Sequence, residues 1–335
     1  MDTFLELKKK IESASARVVL PEGENKSVIL AAFKIVEEKI ARPILLGRKS
    51  VIEELAAGLT VDLDKIAVLD ITSSPKLDEY VSVYGKDRNL PLGAARLILR
   101  KPVYFGAMMT RMGDADAMVA GIATPTEEVA MASELIIGTQ GDISTPSSFT
   151  LMDIPGYKGE EGSQLIFADA ALNPNPTSEQ LADIAISCAR SARKYFGWEP
   201  RIAFLSFSTK GSAMHADVEK VVEAVRIVRE RQPDLLVDGE LQADAAIVPE
   251  VAKKKIEESS AVGGRANILV FPDLDAGNIG YKLVQRLTHG AAYGPFLQGF
   301  AKPVSDLSRG ATVDDIVGAA ILVVIEAQEH ENPSH

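Results

Sequence analysis

A hydroxyl, a guanidinium and a carboxylate converge on one turn of this chain, at Ser308, Arg309 and Asp315. Ser308-Arg309-Gly310 reads as a loop, Thr312 as the N-cap of a helix and Asp315 as the residue three further on. The loop and the first helical turn then share free backbone N–H groups and positive dipole potential, which suits a phosphate. A carboxylate beside such a site can take a proton from a bound nucleophile. Thr312-x-x-Asp315 is also an ordinary capping box, which exists without any catalysis.

The elements that must position this turn are those of an α/β protein. Apolar runs rich in β-formers alternate with helical periodicity, the pattern of parallel sheets with helices on both faces. Strands are expected at 17–20, 43–46, 67–70, 117–120, 149–152, 165–168, 202–206, 235–238, 268–271 and 295–297. Helices are expected at 26–38, 178–195 and 217–231, the second after the turn Asn173-Pro-Asn-Pro-Thr177. At 335 residues the chain exceeds the roughly 250–300 at which one core stops growing. The expectation is two doubly wound three-layer α/β domains with an active-site cleft between them. The first comprises 1–141 and 299–335, the second 142–298, with the crossings in the glycine-bearing stretch 138–146 and near Gln298-Gly299.

Composition narrows the function classes. Apolar residues at 46% and charged residues at 25% describe an ordinary globular chain. A net charge of −11 repels nucleic acid and anionic membranes as general partners, though a local basic pocket stays open. The apolar run 317–325 ends at Glu326, too short to cross a bilayer. Residues 1–10 lack the apolar core of a signal peptide, so a cytoplasmic location is expected. Cys188 is the only cysteine; it cannot form an intramolecular disulfide and is expected in a core rather than as a nucleophile.

Other residues have both a functional and a plain reading. Asp114 and Asp116 alternate like metal ligands, but with no third ligand nearby they are expected to finish a turn, and no metal is expected. His215, His289, His330 and His335 lack zinc spacing, and His215 reads as a solvated helix start. Gly277-Asn-Ile-Gly280 reads as a glycine-bearing turn into a helix, where N–H groups meet an anion and Lys282 reaches a phosphate or stays on the surface. It matches neither a Walker A loop nor the dinucleotide fingerprint.

Several segments together resemble the phosphotransacetylase (phosphate acetyl/butyryltransferase) family. They are Leu20-Pro-Glu-Gly23, Tyr104-Phe-Gly-Ala-Met-Met, Met112-Gly-Asp-Ala-Asp116, Asn173 to Thr177, Leu205 to Ala213, Asp238 to Ala246, Phe271 to Lys282 and Gly299 to Gly310. The resemblance covers essentially the whole chain. It implies reversible transfer of an acetyl or similar short acyl group between acyl phosphate and coenzyme A, in a homodimer. Coenzyme A would be a substrate, with no permanently bound cofactor. By position in the motif, Asp315 matches the general base, Ser308 the hydrogen-bonding serine and Arg309 the phosphate-binding arginine. Lys26, Thr124, Thr126, Asn278, Tyr281 and Lys282 join Ser308 and Arg309 as expected substrate or coenzyme A contacts. A thiol of pKa about 8.5 is mostly neutral at pH 7, so its attack on a carbonyl gains from a carboxylate base.

The chain departs from the family pattern at cationic positions. Met131 stands where the resemblance implies an arginine, a second arginine is missing around Val83-Tyr84-Gly85, and Lys26 replaces an arginine, which loses the bidentate fork. Arg88 or Arg111 could supply the charge. Two alternatives therefore stay open: a different acyl donor on the same scaffold, or a catalytically weak relative that binds coenzyme A or an acyl phosphate. An NAD-dependent decarboxylating dehydrogenase would need a metal-binding aspartate set that the sequence lacks.

Overall fold

The computed structural model describes residues 3–11, 14–257 and 259–331. Met1, Asp2 and His335 lie outside the described residues, as does the side chain of His330. The chain divides into two compact units, Met1–Gln140 with Phe300–His335, and Gly141–Gly299.

The first unit begins with α1 (Thr3–Lys8), β1 (Arg17–Leu20), α2 (Lys26–Glu37), β2 (Arg42–Leu46), α3 (Lys49–Gly58) and β3 (Ala67–Leu69). It continues with α4 (Lys76–Asp87), α5 (Leu92–Leu99), α6 (Pro102–Met112), β4 (Ala117–Ala120) and α7 (Thr126–Ile136). The second unit runs β5 (Ser147–Asp153), β6 (Gln164–Ala168), α8 (Ser178–Ser191), β7 (Arg201–Leu205), α9 (Ala216–Arg231) and β8 (Leu236–Leu241). Then come α10 (Ala243–Ile247), α11 (Pro249–Lys255), β9 (Ile268–Val270), α12 (Leu274–Thr288) and β10 (Ala291–Gln298). The chain re-enters the first unit as β11 (Val304–Asp306) and α13 (Val313–Glu331).

In the first unit the strand order is β11-β4-β1-β2-β3, every pair parallel. β2 and β3 lie on one side of β1, β4 and β11 on the other, so the order reverses between β1 and β4. In an open parallel sheet that reversal leaves a crevice at the carboxyl ends of the strands. Strands covered on both faces must be apolar throughout: Val18, Val19 and Leu20 of β1 and all four residues of β4 are buried. α2 buries Val28, Ile29, Ala31, Ala32 and Ile35, one stripe at helical spacing. Residues 316–325 of α13 are buried throughout, so the apolar run near the C-terminus is a core helix.

The second sheet is parallel in part, with two antiparallel pairings that the sequence pattern does not reveal. Its order is β10-β5-β6-β9-β7-β8, and β10–β5 and β5–β6 are antiparallel. Residues 154–163 join β5 to β6 without a helix, and a parallel crossover needs a dozen residues or more. The helical pattern read over 178–195 also breaks: α8 ends at Ser191 and one π-helical turn, Ala192–Phe196, follows before Gly197 stops it at φ 69°. α8 starts with the capping box of Thr177 and Gln180. Met152, Leu165, Phe167, Leu205, Leu241 and Leu269 form one core cluster beneath this sheet.

Gly277-Asn-Ile-Gly280 is not a turn. It lies inside α12, whose N-cap is Asp273, with the Asp273 side chain accepting from Ala276 N at 2.8 Å. Gly277 is required by close approach rather than by chain reversal: a Cβ there would sit 2.3 Å from the Asp169 carbonyl oxygen, in the same unit. Gly277→Ala is expected to destabilise the protein by about 1–3 kcal/mol, as overpacking does. Thermal denaturation checks this, and an unchanged melting temperature would contradict the contact.

Candidate active site

Ser308 and Arg309 follow β11, and both are exposed. The loop is a tight turn in which Ala311 N donates to Ser308 O at 2.9 Å. Arg309 has no ion-pair partner among the described residues. The capping box forms: Asp315 Oδ2 accepts from Thr312 N and from Thr312 Oγ1, each at 2.8 Å, and Asp315 N donates back to Thr312 Oγ1 at 3.2 Å. The box uses Asp315 Oδ2, and Oδ1 has no partner among the described residues. The neighbouring Asp314 is taken by Lys34 at 2.6 Å.

The turns after β1 and β4 meet beside this loop's strand. Glu22, between β1 and α2, accepts four backbone N–H groups from the turn before α7. Gly121 and Ile122 donate to Oε2, both at 2.9 Å, while Ala123 and Thr124 donate to Oε1 at 2.8 and 2.7 Å. Thr124 is thus placed through its backbone. Thr126, the first residue of α7, directs its hydroxyl to Asp306 Oδ2 at 2.5 Å. Lys26 is exposed at the start of α2, whose N-cap Asn25 accepts Ser27 N at 2.8 Å. Ser308, Arg309, Thr124, Thr126 and Lys26 therefore all follow the carboxyl ends of three adjacent strands, β11, β4 and β1. A cavity of about 510 Å³ opens at the same edge, lined by Pro21, Glu22, Leu46, Lys101, Val103 and Thr124 among others.

Asn278, Tyr281 and Lys282 belong to the second unit. The Asn278 amide donates to Ala170 O at 3.0 Å, Tyr281 packs half-buried against the core cluster, and Lys282 Nζ lies 5.7 Å from the Tyr281 ring centroid. The helical N–H groups of 277–280 turn into α12's own hydrogen bonds, so the anion cradle read there is absent.

Where the resemblance implies arginines, Met131 is 45% exposed on α7 and Tyr84 is buried on α4. Arg88 donates to the Leu135 carbonyl and Arg111 pairs with Asp87, so both guanidinium groups are engaged.

The plain readings fit the structure elsewhere. Asp116 accepts Arg17 N at 2.7 Å and pairs with the Arg17 guanidinium at 2.6 Å. Burial works against its charge, but those Arg17 bonds hold the carboxyl below its usual range. Asp114 accepts the Tyr80 hydroxyl at 2.5 Å and pairs with Lys76 at 3.2 Å. His215 is the N-cap of α9, accepting Asp217 N on Nδ1 at 3.2 Å. Cys188 is fully buried, and burial pushes its thiol up to about 12, so it is packing. Among the described residues no group of three or more His, Cys, Asp or Glu could hold a metal ion.

Two acids went unread in the sequence: Glu22, inside a quoted Pro-Glu-Gly segment, and Asp306, just before Ser308. The signal for both is position, an acid two residues after a run expected as a strand or two residues before Ser308. Further residues in or beside the segments that carry the resemblance are tied by internal bonds. Asp169 accepts Ala171 N and Asn173 N, each at 3.0 Å, and Glu240 accepts Ser208 Oγ and Gly211 N at 2.8 and 2.7 Å.

Residues 3–324 match the phosphate acetyl/butaryl transferase family. The chain belongs to that family. A Clostridium acetobutylicum protein named phosphate acetyltransferase is 46% identical over 316 residues, covering 93% of this chain and 94% of its own. One of the same name from Treponema pallidum is 46% identical over 334 residues, covering 97% and 99%. A phosphotransacetylase structure from Streptococcus pyogenes superposes with a TM-score of 0.93 at 40% identity, covering 98% of each chain. Sequence similarity to the family therefore runs through both units and through the Ser308 loop.

Thr312→Ala removes the hydroxyl that both accepts Asp315 N and donates to its carboxylate. It is expected to lower stability by about 1 kcal/mol, the usual effect of losing an N-cap. Denaturant titration checks this; a loss near zero would mean that α13 is held by its buried face alone.

Proposed function

We propose that this protein is a phosphate acetyltransferase, moving an acetyl group reversibly between acetyl phosphate and coenzyme A. The observation that carries the reading is 46% identity along nearly the whole chain to proteins of that name, with Ser308, Arg309 and Asp315 standing where the resemblance implies them. In the proposed mechanism, Asp315 Oδ1 takes the proton from the coenzyme A thiol. The sulfur then attacks the acetyl carbonyl carbon, and Ser308 donates a hydrogen bond to the oxygen that becomes negative. The carbonyl carbon–oxygen bond to phosphate breaks, Arg309 holds the departing phosphate in its planar fork, and the proton on Asp315 passes to it. Capping and base catalysis do not compete, because the box uses the other oxygen of Asp315.

Coenzyme A is a substrate in this reading; Lys26 and Thr124 in the first unit, and separately Lys282 in the second, are proposed contacts for it or for the acyl phosphate. We place the protein in the cytoplasm as a homodimer. Among the described residues no helix is long and apolar enough to cross a membrane. Ile279, Leu283 and Leu287 recur every four residues on α12 and are 56, 55 and 77% exposed, a stripe suited to a second copy. A second reading, a longer or more polar acyl group, is favoured by Met131 on the exposed face of α7 where an arginine is implied.

Thiol-dependent release of phosphate from acetyl, propionyl and butyryl phosphates tests both readings. Asp315→Asn should slow transfer about 10²–10⁴-fold with the fold retained; equal kcat with only a lowered melting temperature would leave Asp315 as a cap. Arg309→Lys should lower kcat/KM for the acyl phosphate, because a point ammonium cannot replace the fork. Two missing charge-assisted contacts at roughly 1.5–3 kcal/mol each should weaken acetyl phosphate or coenzyme A binding at least about tenfold, and Met131→Arg should restore part of it. Kinetics indifferent to Met131→Arg and abolished by Arg88→Ala would mean that the charge has moved to Arg88.

A further inference from the structure

Burying a carboxyl group without a cationic neighbour opposes its charged form, and an amide of the same shape avoids that penalty. Asp306 is such a group. It ends β11, is 3% exposed, and its Oδ1 has no hydrogen-bond partner among the described residues. That oxygen lies against Gly121, where a Cβ would come within 2.2 Å of it. The groups that act on Asp306 are Thr126 from α7, Leu307 N from its own strand end and the Glu22 carboxylate from the turn after β1. None is a cation. Burial pushes the Asp306 carboxyl up to about 7, Glu22 adds to this, and the bonds from Thr126 and Leu307 oppose it.

A buried acid at a place where an amide would carry no ionisation penalty is a candidate for function. We propose that Asp306 is a positioning residue for acyl transfer, tying the end of β11, two residues before Ser308, to the first residue of α7. The inference rests on the acetyl-transfer reading above. Ionised, Asp306 accepts the Thr126 hydroxyl in a charge-assisted bond that fixes where the Ser308–Arg309 loop leaves the sheet. Protonated, it holds Thr126 only through a neutral bond, and the loop loosens. Activity therefore rises as Asp306 ionises. Stability moves the other way: the folded state holds a proton that the unfolded chain has released, so stability falls as pH rises from about 4 to about 7.

The test uses the full chain and its Asp306→Asn, Thr126→Val and Thr126→Ser variants, with acetyl-phosphate turnover and melting temperature measured from about pH 5 to about pH 8.5. The parent should show a kcat limb near neutrality. Asp306→Asn should lose that limb and fall about tenfold in kcat at the high end with KM little changed, and its melting temperature should exceed the parent's at pH 8 but not at pH 5. Thr126→Val should repeat the kcat loss and Thr126→Ser should restore it. Asp306→Asn with the parent's kcat and limb, or a melting-temperature gap independent of pH, would overturn the proposal. A rise in KM instead of a fall in kcat would make Thr126 a substrate contact and also overturn it. If Asp306→Asn does not fold, equal kcat in the two Thr126 variants overturns it. A parent that does not turn over acetyl phosphate defeats the proposed function itself, whereas an active parent with an indifferent Asp306→Asn defeats only this inference.

Discussion

The carboxylate of Glu22 holds the carboxyl edge of the first sheet together. Four backbone N–H groups, from Gly121 to Thr124, point at its two oxygens. Those donors belong to the turn between β4 and α7, whereas Glu22 belongs to the turn between β1 and α2, so one side chain fixes two loops across the reversal in strand order. Charge-assisted bonds to a carboxylate are roughly twice as strong as neutral ones. Replacing Glu22 by a neutral side chain would leave several N–H groups of a tight turn to find water. Gly121 allows the arrangement: its φ of 118° turns the chain, and its missing Cβ leaves room for Asp306 and Leu307 of the next strand.

The fold was legible where burial is two-sided and runs are apolar. β1 and β4 were read with their observed bounds because Arg17–Leu20 and Ala117–Ala120 are continuous apolar-ended runs. β11 was missed because it is three residues long and carries Ser305 and Asp306, which no hydropathy pattern marks as a strand. Its strand character comes from pairing with β4, from Val304 opposite Met118 to Asp306 opposite Ala120. The antiparallel strands of the second sheet were read as strands but not as antiparallel, since direction depends on the length and path of connections. The glycines at 277 and 280 were misread because a glycine needed for close packing and one needed for a turn look the same in sequence.

The site was legible in part for a similar reason. The spacing of Thr312 and Asp315 specified the capping box, and it forms with all three of its bonds. Sequence could not show that Thr126 gives its hydroxyl to Asp306, because the two residues are 180 positions apart. Nor could it show that Asn278 and Tyr281 are engaged within their own unit. Residue type names the chemistry a side chain can do; a partner distant in sequence decides whether that chemistry is still available.

Charge shows the same selection. With a net charge of −11 the chain disfavours anions in general, and many cations of the first unit are already occupied. Arg17 is paired with Asp116, Lys34 with Asp314, Arg48 with Glu24, Lys101 with Glu128 and Arg111 with Asp87. Arg309 and Lys26 have no such partner among the described residues, and both stand just beyond the carboxyl ends of strands that flank β4. A paired guanidinium must give up its carboxylate before it can take a phosphate, while an unpaired one offers its fork at once. An acidic chain can therefore still present a local anion site where cations beside strand ends, such as Arg309 and Lys26, are left without an acidic partner.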